Sequence, residues 1–157
     1  MTPDLSLSVQ YGVEEPRLPR WRLRRWAERA LAAAAEDGLV DFTAAELSLR
    51  LVGAAEGRRL NRDFRQRDYA TNVLTFEYGV DPLGVARGDI VMCVPVLVRE
   101  AREQRKALLD HAAHLTLHGV LHSLGYDHIK ARDARRMEAL ETATLARMGI
   151  ADPYNEA

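Results

Sequence analysis

All five histidines of the chain lie between His111 and His128, and three fall in the run His118-Gly-Val-Leu-His122-Ser-Leu-Gly125-Tyr-Asp-His128. Imidazoles four residues apart share one helix face, with Cβ atoms ~5–6 Å apart, so His118 and His122 can reach one ion. Gly125 suits the left-handed residue that ends a helix, after which the chain turns back to deliver His128 to the same point. Three protein ligands leave one tetrahedral position of a zinc ion open to water, the arrangement of a catalytic site and of hydrolytic chemistry. Zinc suits three imidazoles, although nickel, copper or iron would accept the same set and copper would bind more tightly. His114 and His118 form a second pair at i, i+4, but only the later pair is followed by a turn that supplies a third ligand. His114 is then expected to support the ligands from behind, and His111 to face solvent.

The spacing matches His-Glu-x-x-His-x-x-Gly-x-x-His of the metzincin proteases at every position but one. Gly119 stands where that motif has the glutamate that serves as general base, which argues against peptide hydrolysis. A glycine inside a helix costs ~1 kcal/mol relative to alanine. Either close packing against a neighbouring strand or room for a bulky substrate at the metal would offset that cost. Asp127 can accept the free N–H of a liganding imidazole or cap the following turn. Glu138 and Glu141 are candidate bases or partners of the ligands, though a solvated helix face explains them more simply. A second constellation, Leu60-Asn-Arg-Asp-Phe-Arg65-Gln-Arg-Asp68-Tyr-Ala-Thr71-Asn72-Val-Leu-Thr-Phe76, sets arginines ahead of a turn rich in hydrogen-bonding side chains. It can hold a phosphodiester over a metal, or it is an ordinary basic helix end facing water.

Periodicity gives the elements that must position these groups. Residues 5–11 and 47–52 alternate with period two and predict strands, as do the short apolar runs 72–76 and 89–93, separated by a Gly, Asp and Pro-rich loop over 79–88. Residues 21–36 have helical spacing and stop at Asp37-Gly38, and 54–63 suits a short helix. Pro95 opens a helical region that runs to Leu124 with a break near 108–110, and a last helix covers 131–148. The order predicts an α+β domain, a four-stranded mixed sheet with helices packed on it. Within the histidine helix, Ala113, Leu117, Leu121 and Leu124 form a stripe fit to bury. His114, His118 and His122 follow an adjacent stripe at the edge of the core, where a cleft would open.

At 157 residues and 47% hydrophobic content, residues 1–157 are expected to form a single domain with one core. Cys93, the one cysteine, has no internal disulfide partner and reads as a buried small hydrophobe. Residues 1–16 carry Asp4, Glu14 and Glu15 but no basic side chain, and no apolar stretch approaches the ~20 residues that span a bilayer. A cytoplasmic protein is expected. The net charge of -1 argues neither for nor against nucleic acid, although 20–29 and 58–67 are locally basic. Lys106 and Lys130 are the only lysines among 22 basic residues, a bias that codon usage explains for most of the arginines.

Five segments together resemble the YbeY family of bacterial endoribonucleases and ribosomal RNA maturation factors. They are Leu60-Asn with Phe64-Arg65 and Asp68, Ala70-Thr-Asn-Val-Leu-Thr-Phe76, Gly88-Asp-Ile90 with Cys93, the run from His118 to His128, and Asp152-Pro-Tyr154. Thr75 and Glu77 depart from the usual serine and proline. The resemblance covers the chain from about Leu47 onward. It implies a mixed four-stranded sheet with about six helices, one zinc ion held by His118, His122 and His128, and Arg65 as the arginine needed for activity. The implied substrate is single-stranded RNA, and the implied setting is 3′-end maturation of 16S rRNA and quality control on the small ribosomal subunit. Zinc-activated water would then act at a phosphodiester while Arg65 offsets the developing negative charge. Two rival classes are a metallopeptidase and a non-catalytic ribosome-assembly factor with a structural zinc.

Overall fold

Alternation of side chains across four strands sets the architecture. The computed structural model describes residues 2–127 and 129–154. Strands β1 (Asp4–Tyr11), β2 (Ala44–Val52), β3 (Val73–Val80) and β4 (Val85–Cys93) form one sheet in the order β1-β2-β4-β3. β1 and β4 flank β2 in parallel, and β3 pairs antiparallel with β4 as the edge strand. Along β2, Leu47, Leu49 and Leu51 are buried, as are Ala86, Ile90 and Met92 along β4, so period two directs one face into the core. The other face carries polar groups in register, among them Ser48, whose hydroxyl bonds Asp89 on the neighbouring strand.

Helices α1 (Arg20–Asp37), α2 (Ala54–Arg65), α3 (Val94–Glu103), α4 (Leu108–Ser123) and α5 (Ala131–Arg147) complete the α+β fold. That is five helices among the described residues where about six were expected. Connections such as 12–19 close as turns, with Leu18 N–H bonded to Glu15 O, and do not build a further helix. α4 is the central element, packed on β3 and β4 and flanked by α1, α3 and α5. Its expected stripe of Ala113, Leu117, Leu121 and Leu124 is buried throughout. Cys93 is buried too, in a smaller cluster with Val52 and Val96, and packs on α2 at Gly57.

Two boundaries differ from the sequence reading. The 79–88 loop is mostly strand, because β3 runs on to Val80 and β4 starts at Val85. The short turn between them is held by the Asp81 carboxylate, which accepts the N–H groups of Leu83 and Val85. The helical region that starts near Pro95 breaks at 104–107 and not at 108–110, where Arg105 takes φ 55 and Lys106 N–H bonds Ala101 O. Asp37, the last residue of α1, accepts the Tyr126 hydroxyl and the Arg136 guanidinium, which joins α1, the turn after α4, and α5. Among the described residues no helix is long and apolar enough to cross a membrane.

Candidate metal centre and its hydrogen-bond network

The site is built on one stripe of α4. His114, His118 and His122 are partly buried, with ring centroids 6.3 Å apart for the first pair and 6.4 Å for the second. The stripe lies at the rim of the core, as its offset from the apolar stripe requires. Between the two later histidines, Gly119 brings the helix backbone onto the sheet. A Cβ there would lie 2.9 Å from Ile90 Cγ2 and 3.5 Å from Val73 Cγ2. Close packing on β4 and β3 is therefore what offsets the helical cost of this glycine.

The end of α4 follows from Gly125 at φ 112. Its N–H bonds His122 O while Tyr126 N–H bonds Leu121 O, the paired bonds of a Schellman cap, and the Tyr126 side chain is buried beneath the turn. The left-handed helix end expected at Gly125 is thus present. Asp127 accepts the Ile129 N–H at 3.0 Å, the turn-capping contact. His128 lies outside the described residues.

The group that sequence reasoning undervalued is Glu141. Of its two readings, partner of the ligands or solvated helix face, the structure supports the first: Glu141 is fully buried and faces α4. Its Oε1 lies 2.9 Å from His114 Nε2 and 3.2 Å from His118 Nδ1, and accepts the Tyr154 hydroxyl at 3.0 Å. His114 Nε2 is also 3.1 Å from that hydroxyl. Burial pushes the Glu141 carboxyl up, but hydrogen bonds from His114 and His118, and the attraction of those rings, outweigh it and hold it at about 2. Tyr154 is pushed up by burial and by the adjacent Glu141 charge. A signal for Glu141 was present: it shares the buried stripe of α5 with Met137, Thr144 and Leu145, where a carboxylate needs a partner. Glu138, the other candidate on this helix, is half-buried.

His111 is likewise not solvated. Only 3% exposed, it sits against Glu100, with Nε2 3.0 Å from Oε1. Burial pushes its pKa down against the opposing pull of Glu100, which also accepts Asn72 Nδ2 at 3.2 Å. The contact fixes the start of β3 to α3 and places His111 outside the cluster around Glu141.

Donor atoms of His114, His118 and Glu141 lie within 4.8 Å of one another, so the described residues include a group that can hold a metal ion. His118 also belongs to the pair with His122. An imidazole gives a metal one nitrogen, so His118 serves either the group with His114 and Glu141 or the pair with His122.

Arg65 is the last residue of α2. Its Nη2 donates to Thr75 O at 2.8 Å, and the guanidinium lies 5.0 Å from the centroid of the Phe76 ring, which Phe64 meets edge-on at 5.5 Å. Thr75 pairs with Ile90, the residue on which Gly119 packs, so Arg65 is held on the edge strand that backs the histidine helix. The surrounding arginines are partly neutralised, Arg58 by Asp68 and Arg62 by Asp63.

A family model described as "Endoribonuclease YbeY" matches residues 9–149. The protein named endoribonuclease YbeY from Bordetella petrii is 81% identical over 154 residues, covering 98% of this chain and 99% of that one. Its namesake from Bordetella avium is 79% identical over 152 residues, covering 97% and 94%. The one from Acidovorax sp. strain JS42 is 51% identical over 157 residues, covering 96% and 95%. Among solved structures, the solution structure of TM1509 from Thermotoga maritima superposes with a TM-score of 0.61 at 22% identity, covering 95% of this chain and 99% of that one, and so shares the fold.

Proposed function

Because the chain belongs to the endoribonuclease YbeY family, we propose that it is a zinc-dependent endoribonuclease that cuts single-stranded RNA. Residues 1–157 act as one domain, with His118, His122 and His128 as the metal ligands and Arg65 as the catalytic arginine. The biological setting is 3′-end maturation of 16S rRNA and surveillance of the small ribosomal subunit, as the family implies. The observation that supports His118 as a ligand is the Glu141 contact: a carboxylate 3.2 Å from His118 Nδ1 favours the proton there and leaves Nε2 as the ring's lone-pair nitrogen.

The donor set fits zinc, since two imidazoles on one helix turn, partly shielded from water, match its preference for nitrogen ligands. Zinc held there would supply Lewis acidity toward water and toward a phosphodiester oxygen. The chain's own residues do the rest. α4 presents the ligands from a rigid helix locked by Gly119 on Ile90 and capped at Gly125. Arg65 keeps its guanidinium oriented through Thr75 O and Phe76, with further N–H groups for phosphate oxygens as negative charge builds on them.

Cleavage of a single-stranded RNA by rigorously nuclease-free protein tests the reading, with Arg65→Ala and His122→Ala purified identically. Arg65→Ala should lose ~10²–10³ in rate, the cost of one transition-state donor, while keeping its zinc. His122→Ala should lose both. Equal cleavage by all three proteins would identify a contaminant and overturn the assignment, and loss of zinc from Arg65→Ala would overturn the role given to that residue.

A further inference from the structure

We infer that Glu141 is a positioning residue for the metal centre: with Tyr154 and His114 around it, its carboxylate holds His118 in the Nδ1–H tautomer and so dedicates Nε2 to the ion. The inference rests on the ligand set proposed above and assigns Glu141 a place outside it, although its donors and those of His114 and His118 also satisfy the spacing for direct ligation.

Three features separate the two arrangements. Donor distances of 2.9, 3.0 and 3.2 Å around Glu141 Oε1 are hydrogen-bond lengths. Atoms sharing a tetrahedral ion with bonds of ~2.0–2.1 Å stand ~3.3 Å apart, and all three separations around Oε1 fall on the shorter, hydrogen-bonding side of that. Second, one carboxylate oxygen receives all three donors. A negative acceptor of that kind orients an imidazole and makes its far nitrogen a better ligand. Third, the carboxylate is fully buried on α5, a helix separate from the one that carries the histidines. It reaches across the interface between the two helices and fixes the ring of His118 against rotation. Tyr154, from the segment after α5, closes the cluster from the solvent side, where it is 40% exposed.

The decisive measurement is two-bond ¹H–¹⁵N NMR of the histidine-labelled full-length protein before and after zinc. His118 should carry its proton on Nδ1 in both states, and zinc should move the Nε2 resonance. Zinc on Nδ1 of His118, or a metal-free ring protonated on Nε2 alone, overturns the inference. If zinc moves no histidine resonance, the ligand set fails and the positioning role falls with it, so the two failures are distinguishable. Glu141→Gln keeps the shape and removes the charge, and should weaken zinc binding ~10–100-fold in competition with a chromophoric chelator. Unchanged affinity in a folded Glu141→Gln protein would overturn the role. Should that variant not fold, the wild-type spectra alone decide, and Tyr154→Phe, which removes one of the three donors, should weaken zinc binding by a smaller factor.

Discussion

Gly119 brings α4 close against the sheet, and its lack of a side chain is a matter of space. In Gly119→Ala the new methyl would meet Ile90 Cγ2 at 2.9 Å, a branched side chain held in the core. The gain of ~1 kcal/mol in helix propensity is set against ~1–3 kcal/mol for overpacking. Urea unfolding should show a net loss, and zinc affinity should fall as the flanking histidines shift. A variant as stable as wild type would mean that the backbone has room to spare. The sequence alone left packing and substrate room as equal accounts of this glycine, since pattern reports that a side chain is missing and not what stands opposite. The same limit applies to Glu141 and His111. Each is polar by type and buried by tertiary contact, with a partner 23 positions away on α4 for Glu141 and 11 away on α3 for His111. Local periodicity sees no such partner. His118 and His122, by contrast, were legible because their relation is internal to one helix.

The left-handed cap after α4 is the element that the proposed third ligand requires. Gly125 at φ 112 occupies a conformation that costs an L side chain. Gly125→Ala should destabilise the protein by ~1–2 kcal/mol in chemical denaturation. It should also weaken zinc binding, because the cap sets the path of the chain into the third proposed ligand. Normal stability with weakened metal binding would show that the turn serves the site alone, and no change in either would remove its assigned part. Element types were legible from the sequence because period two is strong in β1 and β2, helical spacing in α4, and the end of β4 is a short apolar run. The extent of β3 was not. Residues 77–80 are exposed at the sheet edge and rich in turn-forming neighbours, and they are strand because β4 pairs with them through a bulge between Glu77 and Gly79. The left-handed Arg105 that separates α3 from α4 carries no compositional cue at all.

For the whole molecule, two carboxylates far from the histidines should contribute to acid stability beside Glu141, itself held at about 2. Glu15 is buried, and the hydrogen bonds of Arg17 hold its carboxyl below the usual 4.5, while Arg50 does the same for Glu56. Depressed folded-state values mean that the unfolded chain binds more protons as the pH falls through 4.5. The stabilisation is present above that pH and is lost below it, down to the folded-state values. Urea midpoints measured from pH 7 to pH 3 should drop along this limb, and Arg17→Met with Arg50→Met should flatten it. An unchanged limb in the double variant would assign acid unfolding elsewhere. Contacts around the site have another property, their span along the chain. Asp37 meets Tyr126 and Arg136 at separations of 89 and 99 residues, and His114 meets Tyr154 at 40. Closing such loops costs entropy before the contacts repay it, so these contacts form late. During synthesis α4 emerges before Glu141 and Tyr154 exist, and its histidines wait for their proton acceptor until α5 and the segment after it are made. A protein whose chemistry is directed at RNA therefore makes its histidines before the groups that complete their network.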